Sequence, residues 1–534
     1  MSCNRWLRAK LCCVVLVCCA AAAGAELRLP ALISDNMVLQ RGRPLPIWGW
    51  AEQGEKVTVT IAGKAATARA VAVAIGRWQV SLPALEPADQ PLEMVVTSSS
   101  GGTLRVKNVL VGEVWLCSGP SNIFWPVKRC DHAQEEIAKA AYPQIRFFTV
   151  ARKTADQPQA DCQGDWVECS PASVGDASGI GYFFARQLRQ ELKVPVGLLQ
   201  SFWGGSRIEA WTSIEALQAQ PALRPILDYW TERLAKFDAA AAEAAGGTGS
   251  LSASAERRSG DVPSTLAGEQ PVAPDEKAPA KPKKPENPRT SAHRPACLYN
   301  AMIAPLVPYG IRGAITYQGL GNLFWAQHSE VLLETMIADW RRRWAQGEFP
   351  LGMVQPAPYT CKGWAQSGPD AYSIQRESQL LVLKKVPNTG LALTMDIDAV
   401  SALHFPQKQP VARRLALWAL ATVYGRPVAY QGPVYESMSI EGDKVCIRFA
   451  HAPDGLTTRD GKPPTCFTIA GPDQVFHPAA VIIQGSTVLV CSNQVRQPLA
   501  VRFAWGNTDV PNLINRDGFP ASLFRTDVPV SAIP

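Results

Sequence analysis

Charge of one sign is what this chain conspicuously lacks. Of its 534 residues 19% are charged, with 53 Lys and Arg against 46 Asp and Glu. The net charge is +7, and Arg5, Arg8 and Lys10 contribute three of it, leaving +4 for the remainder. So small a charge over so long a chain gives no footprint for nucleic acid or an anionic membrane. Only six histidines are present, and none sits with cysteines at zinc-ligand spacing, so no metal is expected. Internal repeats and low-complexity arrays are missing too, which argues against a purely structural envelope protein. What is present is an ordinary globular composition, 47% apolar, in a length that suits about three or four domains. Sixteen tryptophans are many; most belong in cores, but exposed indoles also suit the faces of sugars.

The first 25 residues read as an export signal. Arg5, Arg8 and Lys10 precede the apolar stretch Leu11–Ala23, and Ala23-Gly24-Ala25 supplies a small-residue cleavage site before Glu26. That stretch falls short of the ~20 residues a spanning helix needs, and no later stretch is longer, so no membrane span is expected. The expected location is periplasmic or extracellular. Five of the fourteen cysteines lie in the signal, leaving nine. An oxidising compartment permits bridges, with Cys162 and Cys169 the nearest pair, and free buried thiols are the other reading.

Between 26 and 110 the pattern has period two. Val57, Val59 and Ile61 alternate with Thr58 and Thr60, and Trp78, Val80 and Leu82 repeat it, which predicts an antiparallel β-sandwich. Residues 426–534 read the same way through Val445, Ile447, Phe449, Val501 and Phe503. The middle, 111–425, alternates apolar runs (Val111–Leu116, Val196–Leu199, Ile311–Tyr317, Leu391–Met395) with helical patterns (Tyr182–Leu192, Val331–Trp344, Val411–Val423). That rhythm predicts an α/β/α layer around a parallel sheet. Proline-rich residues from about 238 to 295 contain no aromatic and read as a disordered insertion; Lys281, Lys283 and Lys284 there read as solvated linker.

Ligands of an open α/β sheet bind at the carboxyl ends of its strands. Three strand ends carry polar, glycine-bearing sequences: Ser118-Gly119-Pro120-Ser121-Asn122, Trp203-Gly204-Gly205-Ser206 and Gln318-Gly319-Leu320-Gly321-Asn322. His404 follows the fourth. A serine before a helix presents its Oγ and its own N–H together. A glycine adds a second N–H and an asparagine amide a third, which is what an oxyanion requires, and a distant histidine supplies the base. Each element alone also has a structural reading, as a helix cap, a tight turn or a core histidine; their order along the strand ends favours the site.

These residues resemble a family. Val111–Gly119 with Ser121-Asn122 and Trp125-Pro126 is similar to the nucleophile block of sialate O-acetylesterase-like proteins, SGNH-fold carbohydrate esterases. The resemblance continues through Val194–Gln200, Trp203-Gly204-Gly205, Glu209-Ala210-Trp211, Leu298–Leu306, Tyr317-Gln318-Gly319 and Lys408–Val411. The outer parts match as well, from Leu27–Pro30 to Gly518–Ser522. It implies an SGNH-hydrolase-like core flanked by two sandwich domains, with Ser121 as nucleophile and His404 as base. Ser121, Gly205 and Asn322 would form the oxyanion hole. The implied reaction removes acetyl esters from sugar hydroxyls without a cofactor, so the expected partner is an acetylated carbohydrate.

The departures are chemical. Pro120, Phe124 and Leu320 stand where the family has Gln or Glu. The catalytic acid, an Asp two residues before the histidine, is Ala402 here. Asp398 is the candidate substitute acid. Two functions follow: an esterase working with a Ser–His pair, or a catalytically impaired relative that keeps the cleft to bind acetylated glycans.

Overall fold

The computed structural model describes residues 26–70, 76–246, 287–361 and 368–527; the expected export signal lies outside them. Its centre is a sheet whose strands run in the order Thr389–Ala392, Leu351–Val354, Gly313–Thr316, Thr103–Gly119, Val196–Phe202, Tyr142–Thr149 and Trp166–Cys169. The first six are parallel, and only the edge strand Trp166–Cys169 is antiparallel. From the middle strand Thr103–Gly119 the chain first builds outward on one side and later returns to the other. The order therefore reverses at this strand, flanked by Val196–Phe202 and Gly313–Thr316. Such a reversal opens a crevice beyond the strands' carboxyl ends.

Both faces of the sheet are covered, which is why its strands read as apolar runs. Along the middle strand Val114 and Leu116 face one core while Trp115 and Cys117 face the other. The helix Ser329–Trp344 covers the first face with Leu332, Met336 and Trp340. The helices Gly179–Leu192 and Lys408–Thr422 cover the second with Phe184, Leu188, Leu415 and Trp418.

Antiparallel sheets flank this layer on both sides in sequence. The alternation expected from the sequence holds: Val57, Val59, Ile61, Trp78, Val80 and Leu82 are buried, as are Val445, Ile447, Phe449, Val501 and Phe503. Residue 110, the expected end of the N-terminal part, lies inside a continuous 17-residue strand. One half of that strand pairs antiparallel with Ala88–Ser98 and the other half joins the parallel layer.

The flanks of the expected insertion, 238–246 and 287–295, are structured; the rest of it, Lys281, Lys283 and Lys284 included, lies outside the described residues. A helix runs from Arg224 to Gly246, and Arg289 pairs with Asp238 at 2.6 Å. Ser291 and Ala292 are buried, so the chain is built up to and after the undescribed residues 247–286. Alanine-rich sequence after Asp238 extends a helix already begun, because alanine costs least to keep helical. The helix Ala371–Lys385 carries no apolar period and was not expected. All nine cysteines in the described residues are free, Cys162 and Cys169 included.

Glu113 ties these parts together. Its carboxylate is fully buried and meets Arg41 at 2.5 Å and Arg312 at 2.7 Å, with the Gln40 amide donating at 3.1 Å. Burial alone would raise its pKa; the two guanidiniums outweigh it and hold the group below the ordinary carboxylate range. Its stabilising contribution is accordingly present at neutral pH and lost as pH falls through the folded-state value. Removing one partner of a buried pair leaves a charge uncompensated. Arg312→Leu is expected to cost about 3 kcal/mol in urea-induced unfolding at pH 7, and the deficit should shrink as the pH is lowered into the carboxylate range.

Candidate active site

Gly119 ends the middle strand at φ +141°, where a Cβ would lie 3.2 Å from Tyr317 O and from Ile123 Cγ2. Pro120 then turns the chain, and Ser121 opens the four-residue helix Ser121–Phe124. The neighbouring strand ends level with it, Phe202 opposite Gly119, and delivers Trp203-Gly204-Gly205; Gly205 stands at φ +70°. On the other side Thr316 lies opposite Ser118, and the chain continues through Gln318 and Gly319 into the 3-10 helix Leu320–His328.

Three of these strand-end sequences line one cavity of about 270 Å³, through Ser121, Asn122, Gly205, Leu320 and Gly321. Pro120, Leu323, Phe324 and Leu403 make much of the rest of its wall apolar, and Arg207 brings one cation. Phe324 is 52% exposed at its rim. Leu320 and Pro120 thus sit at the cavity itself, and Phe124 packs against Phe202 with ring centroids 5.5 Å apart.

The structure brings the predicted nucleophile and base together across 283 residues: His404 Nε2 lies 2.6 Å from Ser121 Oγ. The imidazole stacks on Trp125, with centroids 5.0 Å apart and planes inclined by 6°. An aromatic face of this kind would favour the ring in its cationic form. Burial, then the positive charges of Lys408 and Arg129, pull the His404 pKa down to about 4.

Among the described residues no acid completes a triad. Ala402 is exposed, and among the described residues His404 Nδ1 has no hydrogen-bond partner. Asp398 is exposed and makes no contact with the imidazole: Ile397 and Ala399, both buried, anchor the turn on either side and direct it outward. Asp396, two residues earlier, is taken up by Arg414 at 2.6 and 2.8 Å.

Gly205 and Ser121 face the same cavity, whereas Asn322 is fully buried behind its wall. Its Oδ1 accepts from Ile208 N at 3.0 Å and its Nδ2 donates to Glu209 Oε2 at 2.7 Å. One amide hydrogen remains uncommitted to the described residues. Burial pushes the Glu209 carboxyl up in pKa, with the nearby Arg207 charge opposing. Among the described residues no group of three or more His, Cys, Asp or Glu side chains could hold a metal ion.

A solved carbohydrate acetylesterase from Xanthomonas citri is 33% identical to this chain and superposes with a TM-score of 0.77. That match covers 94% of this chain and all of the other. The chain belongs to the sialate O-acetylesterase-like family. Curated sialate O-acetylesterases agree: the Rattus norvegicus protein is 27% identical over 471 residues, covering 80% of this chain and 79% of its own. The Homo sapiens protein is 28% identical over 469 residues, covering 80% and 77%. No protein-family model matches the chain. Membership supports a hydrolase acting on esters of carbohydrates. Sequence reasoning picked out the serine, the histidine and the missing acid, but assigned nothing to Trp125, Arg207 or Lys408. The first and last of these lay in motifs shared with the family, and only the fold shows what they touch.

Two outcomes are expected if His404 acts as a base. The His404 imidazole must be neutral to accept a proton, so kcat/KM should fall as pH drops through about 4, well below the ordinary histidine value. Ala402→Asp should raise kcat, with a ceiling of ~10⁴ from the triad comparison, and move that acid limb upward. Asp398→Ala should change neither. Stopped pH–rate profiles of the three proteins check both points.

Proposed function

We propose that this protein is an exported carbohydrate O-acetylesterase with an SGNH-type core between two β-sandwich domains, working by a Ser121–His404 pair without a carboxylate. One observation carries it: the 2.6 Å contact between His404 Nε2 and Ser121 Oγ at the wall of a cavity where three parallel strands end. A binding protein has little use for a nucleophile and base held at hydrogen-bond distance.

In this reading Ser121 Oγ attacks the carbonyl carbon of a sugar-bound acetyl group while its proton passes to His404 Nε2. The negative charge that develops on the carbonyl oxygen is met by the Ser121 and Gly205 N–H groups; the Asn322 amide, buried behind the wall, would join them only if its uncommitted hydrogen turned toward the cavity. As the tetrahedral centre collapses, the bond to the sugar oxygen breaks and His404 returns the proton to that oxygen. The acetyl-serine is then opened by water, with His404 again taking and giving the proton, and acetate leaves. Trp125 keeps the ring in plane and supports its charge, while Lys408 and Arg129 oppose that charge. The imidazolium is therefore less favourable than in a triad, and turnover is expected to be slow.

That opposition is also what favours the second reading, a weakly catalytic relative that holds acetylated glycans in the cleft. Acetate release from acetylated glycans by the mature chain, run beside Ser121→Ala, separates the two. The esterase should release acetate and Ser121→Ala should not, and a fluorophosphonate should label the wild type at Ser121 alone. Binding of an acetylated glycan with no acetate release and no labelling would establish the second reading.

A further inference from the structure

Lys408 is the one feature of the site that neither the esterase chemistry nor ordinary packing explains. It opens the helix Lys408–Thr422, yet it is fully buried. Lysines are almost never buried without a carboxylate partner, since desolvating an ammonium costs several kcal/mol. Here no carboxylate pairs with it among the described residues. Its ammonium sits 3.6 Å above the Phe405 ring and about 6 Å from those of Trp125 and Tyr317. Its hydrogen bond is to Asn122 Oδ1, at 2.8 Å.

The other end of that amide matters as much. Asn122 Nδ2 donates to Leu403 O at 3.0 Å. Asn122 follows the nucleophile in sequence and Leu403 precedes the base. A single side-chain amide thus spans from the residue beside Ser121 to the residue beside His404. An amide can bond either way round. Because an ammonium can only donate, Lys408 takes the Oδ1 end and leaves the Nδ2 end for the Leu403 carbonyl.

We infer that Lys408, acting through Asn122, is a positioning residue that holds the His404 loop against Ser121, the alignment that the carboxylate of a triad would otherwise give. This rests on the esterase reading of the Ser121–His404 pair. The surroundings agree with it. The Lys408 pKa is pulled down to about 7 by burial, and the neighbouring Cys130 thiol is pushed up to about 12, so it adds no negative charge at neutral pH. Arg129 is the other cation acting on His404, and Tyr317 stays neutral because burial raises its pKa. A neutral lysine amine still donates, so the link to Asn122 survives as pH rises through 7 while its repulsion of the imidazolium fades.

The test uses the full mature chain with Lys408→Met, Asn122→Ala, the pair combined, and Asn122→Asp. The last keeps an acceptor for Lys408 but removes the donor to Leu403, so it tests the link even if the buried lysine proves necessary for folding. Each single variant should lose about 10- to 100-fold in kcat, the scale of a misplaced reacting group, with KM little changed. The combined variant should lose no more than the worse single one, as expected for two members of one chain. In Lys408→Met the acid limb of kcat/KM should also move up from about 4, part of the way only, since burial and Arg129 remain; a merely structural lysine would lower the melting temperature and leave that limb in place. Wild-type kcat in folded Lys408→Met or Asn122→Asp, or losses that multiply in the combined variant, overturns the inference while the esterase reading stands. A wild type that releases no acetate and takes no fluorophosphonate overturns both.

Discussion

Parallel pairing in register at the centre of the sheet is the constraint on which the site depends. Gly119 lies opposite Phe202, and Ser118 opposite Thr316, so three adjacent strands stop at one level. Each loop that leaves them begins from the same edge, and the reversal of strand order beside the middle strand leaves space there. Ser121, Gly205 and the Gly319–Asn322 segment are close because their strands are hydrogen-bonded neighbours, although they are far apart in sequence. His404 arrives separately, on the segment between the edge strand Thr389–Ala392 and the helix Lys408–Thr422. It therefore needs its own means of being held, and Trp125 and Asn122 lie on the nucleophile's side of that junction.

What the sequence made legible follows from this. A polar, glycine-bearing stretch after an apolar run marks a strand end, so Ser121, Gly205 and Asn322 could be read in order. The helices whose apolar residues recur every three or four positions were readable for the same reason. Ala371–Lys385 was not, because Ser373, Gln375, Arg376, Ser378 and Gln379 are among its buried residues. Three of those groups reach distant backbone: Ser373 Oγ donates to Trp505 O, Arg376 Nε to Pro356 O at 3.0 Å and Gln379 Nε2 to Val354 O at 3.1 Å. A polar face buried by hydrogen bonding leaves no apolar period to find. Asp398 could be read two ways, as a substitute acid or as a surface aspartate. Six residues of separation fit a loop that bends back, and only the turn anchored by Ile397 and Ala399 shows that it does not. Lys408 was invisible in another way, since a lysine in a first helical turn reads as a solvated charge.

The arrangement of charge gives the site its character. In a triad a carboxylate favours the imidazolium; among the described residues the charges that act on His404, Lys408 and Arg129, are both cations, and Trp125 offers its face. Around the serine, Pro120 and Leu320 add apolar surface where the resemblance would place polar groups, and Leu323, Phe324 and Leu403 extend it. A drier wall strengthens whatever electrostatic interactions remain and weakens the solvation of a developing charge.

The strand Thr103–Gly119 has one more consequence. At a rise of roughly 3.3 Å per residue it is a rod of about 55 Å, built into the outer antiparallel sheet at one end and carrying the nucleophile just beyond the other. Its outer half packs in the same core as the helix Ser329–Trp344. The change in sequence character near residue 110 is therefore not a seam. Recombination between relatives at that point would cut the rod in its middle, and exchange of the N-terminal part has to carry the whole strand, serine included, or leave it whole in the recipient.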